Sequence, residues 1–170
     1  MSTIDSMKTI VLYLLGLLVA WFFAVTLPRW IAASGFEPFH LEIGSLRTIG
    51  WFPIVLGACA FLWCYWLFFS IGKGTPWPFD PPKELVVSGP YRYVRNPMES
   101  SYLLVLFGEV LLFESSALIL YLIFNFLFLF MRQVVVEEPV LRSRFGQSYE
   151  QYEKSVPRYV PRLISKTRED

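Results

Sequence analysis

Apolar residues run along this chain in long unbroken blocks, and charged residues gather between the blocks and after the last one. Residues 10–27, IVLYLLGLLVAWFFAVTL, carry no charge over 18 positions. A helix of that length rises about 27 Å, close to the hydrocarbon thickness of a bilayer. Residues 48–71 carry none over 24 positions and end at Gly72. Pro53 falls in the first turns of that helix, where a missing N–H does least harm. Two shorter blocks follow, 13 residues at 101–113 and 15 at 117–131, separated by Glu114, Ser115 and Ser116. That spacing predicts a tight helical hairpin. Both blocks fall below the usual spanning length, so they borrow flanking residues, thin the bilayer, or dip in and return. The fold class expected is all-α: a polytopic membrane protein with about four transmembrane helices, the last two a short hairpin, and a cytoplasmic amphipathic helical segment at the C-terminal end. Lys8 ahead of the first block also suits a secretory signal, but the run is long for one and leads into Pro28 and Arg29.

Composition agrees with a bilayer setting: of 170 residues 55% are hydrophobic and only 17% charged, with a mean hydropathy of +0.47. The formal net charge of +1 conceals an asymmetry. On a four-span arrangement, thirteen Lys and Arg lie on the side of the N-terminus, the 72–100 loop and the tail, against only Arg29 and Arg47 on the other. The positive-inside rule then places the tail in the cytoplasm. Cys59 and Cys64 share one predicted helix five positions apart, where they cannot easily pair. His40 is the single histidine, which argues against a histidine-based metal site or a Ser/His/Asp triad, and no metal ligand is assigned. Acidic residues interleave with the basic ones in the tail, so anionic lipid headgroups explain its charge better than nucleic acid does.

The two cytoplasmic segments carry the candidate chemistry. In the first, GKGTPWPFDPPKELVVSGPYRYVRNPMES, Pro76, Pro78, Pro81 and Pro82 predict an extended strip, and Gly89-Pro90 a turn. Asn96-Pro97 is a helix start: Asn96 can cap, Pro97 suits the first helical position, and the positive end of the helix with Arg95 can receive an anion. In the second segment Glu137 and Glu138 precede Pro139, expected to kink or break the helix as it leaves the membrane. Leu141, Phe145, Tyr149, Tyr152 and Val156 then recur at spacings of one helical face, a surface that lies on the membrane or closes over the first loop, with Gly146 as an interruption point. Glu109 and Asn125 lie within the hairpin; Glu109 is expected to snorkel to water, Asn125 to bond across to the partner helix.

Together the blocks LVVSGPYRYVRNPM and EEPVLRSRFGQSYEQYEKSVPRYVP resemble the carboxyl-terminal core of the isoprenylcysteine carboxyl methyltransferase family, membrane enzymes related to phospholipid methyltransferases. The resemblance covers residues 83–163. It implies an S-adenosylmethionine pocket facing the cytoplasm, beside a cavity that admits a lipid-like acceptor from the bilayer. On the matching positions the cofactor strip falls on Lys83, Glu84, Leu85 and Val86. The motif tyrosine falls on Tyr91, and the Arg-Asn-Pro run on Arg95, Asn96 and Pro97, with Met98 and Glu99 next. The first carboxylate of the family's pair falls on Glu137, with Glu138 beside it; Arg132 and Gln133 are candidates for positioning substrate. Residues 1–72 would then be a two-span membrane region and residues 73–170 the catalytic core. The implied activity is methyl transfer to a lipid, a lipidated protein or a hydrophobic small molecule, by carboxyl O-methylation or amine N-methylation. Three positions depart from the pattern: Glu99 replaces a tyrosine, Ser101 a glycine, and Gln133 an arginine. Two alternatives stay open, an NADPH-dependent membrane enzyme of the sterol-reductase type and a non-catalytic lipid-binding or cofactor-binding relative.

Overall fold

The computed structural model describes residues 3–75 and 82–160. The proline strip at 76–81 and the basic residues Arg162, Lys166 and Arg168 lie outside the described residues. Every described element is helical. The first block forms α1 (Thr3–Trp21), which continues through a five-residue π turn (Phe22–Thr26) into α2 (Leu27–Ala33). A 3-10 turn (Gly44–Gly50) leads into α3 (Trp51–Ser70). The polar loop contains a second short 3-10 turn (Gly89–Arg92) and ends at α4 (Pro97–Phe113). The sharp turn at Glu114, in the left-handed region, starts α5 (Ser116–Arg132). A second π turn (Gln133–Glu137) joins α5 to α6 (Glu138–Phe145), and α7 (Gln147–Ser155) follows.

One expectation about proline needs correction. Pro139 does not break the helix that continues from α5, and Pro28 likewise lies inside a continuing helical run; each sits at the second position after a π turn. A proline interrupts an α-helix because its ring collides with the carbonyl four residues back and its N–H is missing. Widening the preceding turn relieves the collision. The Leu27 and Glu138 N–H groups accordingly reach back five residues, to the carbonyls of Phe22 and Gln133. The helical run from Ser116 therefore extends 30 residues to Phe145, as long as a spanning helix needs, so the expected hairpin of α4 and α5 is present but its second arm is longer than a short one. Among the described residues, three helices are long and apolar enough to cross a membrane: Ile10–Ala33, Gly44–Ser70 and Ser116–Phe145. With 17 residues, α4 falls just short of that length.

The bundle closes around α4. Gly50 and Gly108 face each other across α3 and α4, and a Cβ on either would come within 2.5–2.6 Å of the other's carbonyl oxygen. A Cβ on Gly57 would come 2.6 Å from the Ser101 carbonyl. Small residues at such positions let two helix backbones approach closely, the usual source of helix affinity where water supplies no drive. On the other flank, Pro28 has no N–H to offer the Phe23 carbonyl. The Tyr121 hydroxyl donates to that oxygen instead at 3.0 Å, tying the first π turn to α5. Tyr102 donates to Asn125 Oδ1 at 2.9 Å, so Asn125 does bond across α4 and α5. Glu109 is the exception to expectation: it does not reach water but is 4% exposed, with Oε2 lacking a partner among the described residues.

At the end of the bundle opposite the polar loop, two carboxylates act as clasps. Glu37 accepts from the Ser116 N–H and both the Ser115 and Ser116 hydroxyls, each at 2.7 Å, and so caps α5. Glu114 accepts from the Ile43 and Gly44 N–H groups at 2.8 and 2.6 Å. These bonds hold both carboxyls below the ordinary carboxylate range.

Candidate functional site

The two polar segments expected to meet do meet. The Arg95 N–H donates to the Pro157 carbonyl at 2.8 Å and the Asn96 N–H to the Arg158 carbonyl at 3.3 Å, so the tail runs alongside the loop before α4. The Tyr152 hydroxyl donates to the Tyr91 carbonyl at 2.7 Å. The apolar face read from spacing is buried as one cluster: Tyr149, Tyr152 and Val156 pack with Leu85, Leu141 and Phe145. Gly146, at φ 52° and ψ −130°, does interrupt it, turning α6 into α7 so that both present that face to the loop.

Beneath this cover lies the first of two ionic groups. Glu138, 2% exposed, accepts from Arg158 Nε and Nη2 at 2.7 and 3.0 Å and from Arg95 Nη1 at 3.1 Å. Arg95, 8% exposed, also donates to Glu153 at 3.0 Å, and Glu153 takes two further bonds from Arg142 at 2.7 and 3.0 Å. The Arg142 bonds, with those of Arg95, hold the Glu153 carboxyl below its ordinary range. Three guanidinium groups thus face two carboxylates. Buried charges of this kind are tolerated because each is paired and hydrogen-bonded.

The second group is smaller and has more carboxyl than guanidinium groups. Arg132 donates to Glu99 at 2.6 Å and to Glu137 at 2.9 Å, leaving two carboxylates around one guanidinium. The Tyr159 hydroxyl lies 3.3 Å from Glu99 Oε2 and 3.1 Å from Oε1 of Gln133, which is 1% exposed. Burial, then the charge of Glu99, pushes the Tyr159 hydroxyl up to about 12, so it stays protonated and acts as a donor. Asn96 occupies the cap position of α4 but, contrary to expectation, its side chain makes no capping bond. Its Nδ2 is buried without a partner among the described residues, and the amide is near enough to Tyr159 to influence its ionisation.

The other expected site residues distribute as follows. Lys83 and Glu84 are exposed, with Glu84 paired to Lys73 at 2.5 Å. Leu85 belongs to the cluster under α7, while Val86 and Tyr91 are buried with Cys64 and Leu67, and Met98 packs against them. Pro97 opens α4 as expected. The geometry therefore brings Asn96, Glu99, Arg132, Gln133 and Glu137 together, and gives Arg95 and Glu138 to the buried clamp. Arg142, Glu153, Arg158 and Tyr159 were not expected; the only trace of them in the chain is that they share the tail with the apolar face. Two apolar grooves flank α4 beside this group and share Ser100 and Leu104. One, about 400 Å³, runs between α4 and α5 past Phe107, Leu122 and Phe126. The other, about 330 Å³, is lined by Ala60, Pro90, Tyr93 and Pro97.

Apolar helices of spanning length, joined to a polar group folded together from two separated segments, define an integral membrane protein with an enzyme-like site at one end of its bundle. Residues 46–148 match the family model described as phospholipid methyltransferase, and the chain belongs to that family of membrane methyltransferases. It is 38% identical over 80 residues to a protein-S-isoprenylcysteine O-methyltransferase of Schizosaccharomyces pombe, over 45% of this chain and 33% of that one. It is 30% identical over 118 residues to the cobalt-zinc-cadmium resistance protein CzcN of Cupriavidus metallidurans, over 69% of this chain and 50% of that one. The chain spans from a third to a half of the length of these relatives. No solved structure matches it.

Proposed function

We propose that this protein transfers a methyl group from S-adenosylmethionine to a lipid-like or isoprenoid-linked acceptor, with the site and the C-terminal segment facing the cytoplasm and α4 completing four crossings. The observation that carries the reading is the group of Glu99, Arg132 and Glu137 beside the unpartnered Asn96 amide, assembled from both cytoplasmic segments. Its residues suit the donor's charges. The carboxyl oxygens of Glu99 and Glu137 can face an ammonium and a sulfonium, and Asn96 Nδ2 is a free buried donor for a carboxylate or a ring nitrogen. Glu137, 34% exposed, is the more accessible of the two carboxylates.

When bound, S-adenosylmethionine supplies an electrophilic methyl group. The chain's own residues then have to align rather than to shuttle protons, since an in-line displacement gains most from orientation. Arg132 orients both carboxylates, and Gln133 acts through Tyr159 rather than by touching the acceptor. The α4–α5 groove offers an apolar berth whose polar end is Ser100, next to Glu99. An acceptor that is already a carboxylate needs no base. Titration calorimetry with S-adenosylhomocysteine on the detergent-solubilised chain tests the reading: saturable heat is expected, and its absence from protein that still unfolds cooperatively would overturn it. Heat with NADPH instead would favour the reductase alternative.

A further inference from the structure

Tyr159 stands where the apolar groove and the polar group adjoin. Its ring centroid is 5.9 Å from that of Phe126, which lines the α4–α5 groove, and 6.5 Å from that of Phe130. Its hydroxyl turns the other way, to Glu99 and Gln133. The strand of tail that carries it is anchored at the two residues just ahead of the ring. The Pro157 and Arg158 carbonyls take N–H bonds from Arg95 and Asn96, and the Arg158 side chain is held by Glu138 through two bonds. Backbone and neighbour are thus fixed, while the ring itself is only half-buried.

The geometry points to Tyr159 as a specificity-determining partition: its ring separates the lipid-facing groove from the Glu99–Arg132–Glu137 group, and its hydroxyl latches the ring shut. A phenol has one proton and two carbonyl-type acceptors lie within reach, so only one of the two bonds can be made at a time. Such a latch holds the ring in place without locking it, because a single intramolecular hydrogen bond exchanges for one to water at little net gain. Swinging the ring out would connect groove and polar group and admit the head of a chain-bearing acceptor, one slim enough to pass between Phe126 and the anchored tail. What crosses the partition rests on the methyltransferase reading, but the partition itself does not.

The test uses dicyclohexylcarbodiimide, an apolar reagent that reaches protonated carboxyls from the lipid phase, on the full chain in liposomes. Modification of Glu99 is read by mass spectrometry and normalised to Glu109, which is distant from Tyr159 in the chain and buried within α4. Wild type is expected to react slowly at Glu99 and Tyr159→Ala several-fold faster, with Tyr159→Phe between them because it keeps the ring but loses the latch. A residue of merely structural importance would raise labelling of Glu109 as well. Equal Glu99 labelling in wild type and Tyr159→Ala overturns the inference, as does Tyr159→Phe matching wild type, which leaves the hydroxyl no latching role, or matching Tyr159→Ala, which leaves the ring no partitioning role. Because no methyl donor is present, loss of the methyltransferase reading would leave this result untouched.

Discussion

Glu137 and Glu138 are neighbours in the chain with separate tasks. The π turn that ends at Glu137 directs one carboxylate to Arg132 and the other beneath the tail to Arg95 and Arg158. Their substitutions should separate accordingly. Glu138→Ala leaves two buried or half-buried guanidinium groups short of a partner, and removing one member of a buried pair costs about 3–5 kcal/mol. A marked fall in the thermal midpoint in detergent is expected. Glu137→Gln removes a part-exposed pair contributing at most about 1 kcal/mol, so the midpoint should hold while S-adenosylhomocysteine binding weakens, as calorimetry would register. A destabilised Glu137→Gln with unimpaired binding would reverse the assignment. Glu99 lends itself to the same treatment. Where the resemblance implied a tyrosine, Glu99 has Arg132 and Tyr159 as partners.

At the scale of helices, the interface of α3 with α4 depends on the lack of side chains. Gly57→Ala places a methyl 2.6 Å from a backbone oxygen that cannot move aside, and overpacking of this sort costs about 1–3 kcal/mol. The thermal midpoint should fall by more than for Gly35→Ala, where a Cβ meets nothing within 4 Å, even though Gly35 has a positive φ. Acid should act on the clasps and on the α6–α7 clamp. Glu37, Glu114 and Glu153 all have carboxyl groups held below their unfolded values. Their stabilisation is therefore complete above the unfolded pKa of about 4 and is lost as pH falls through the lower folded values. Midpoints recorded from pH 6 to pH 3 should decline below pH 4, and less steeply in Glu153→Gln. The helices themselves were readable because an uncharged block in a membrane protein has few other forms. Their ends were not. Pro139 reads as a kink or break, and only the wider π turn before it, which has no sequence signature, carries the helix onward. The face from Leu141 to Val156 was readable because its period is helical, whereas Arg158 and Tyr159 follow that helix in a stretch with no period at all.

For the molecule as a whole, one consequence of the fold-back outweighs the others. Residues 82–100 and 132–160 are separated by the hairpin of α4 and α5, yet backbone bonds and buried ion pairs join them into one unit. The pairing of the two blocks could be anticipated from the likeness to a family; the way charge divides, a basic-rich buried clamp beneath and an acidic-rich group at the groove, could not, because it depends on which face of a π turn each carboxylate leaves. Hydrogen exchange with and without S-adenosylhomocysteine measures the shared receptacle directly. Slower exchange is expected in both segments together, around Asn96–Glu99 and around Gln133–Tyr159, with the loop at 34–47 unchanged. Protection confined to one segment, or spread equally to the 34–47 loop, would contradict a single site built from both.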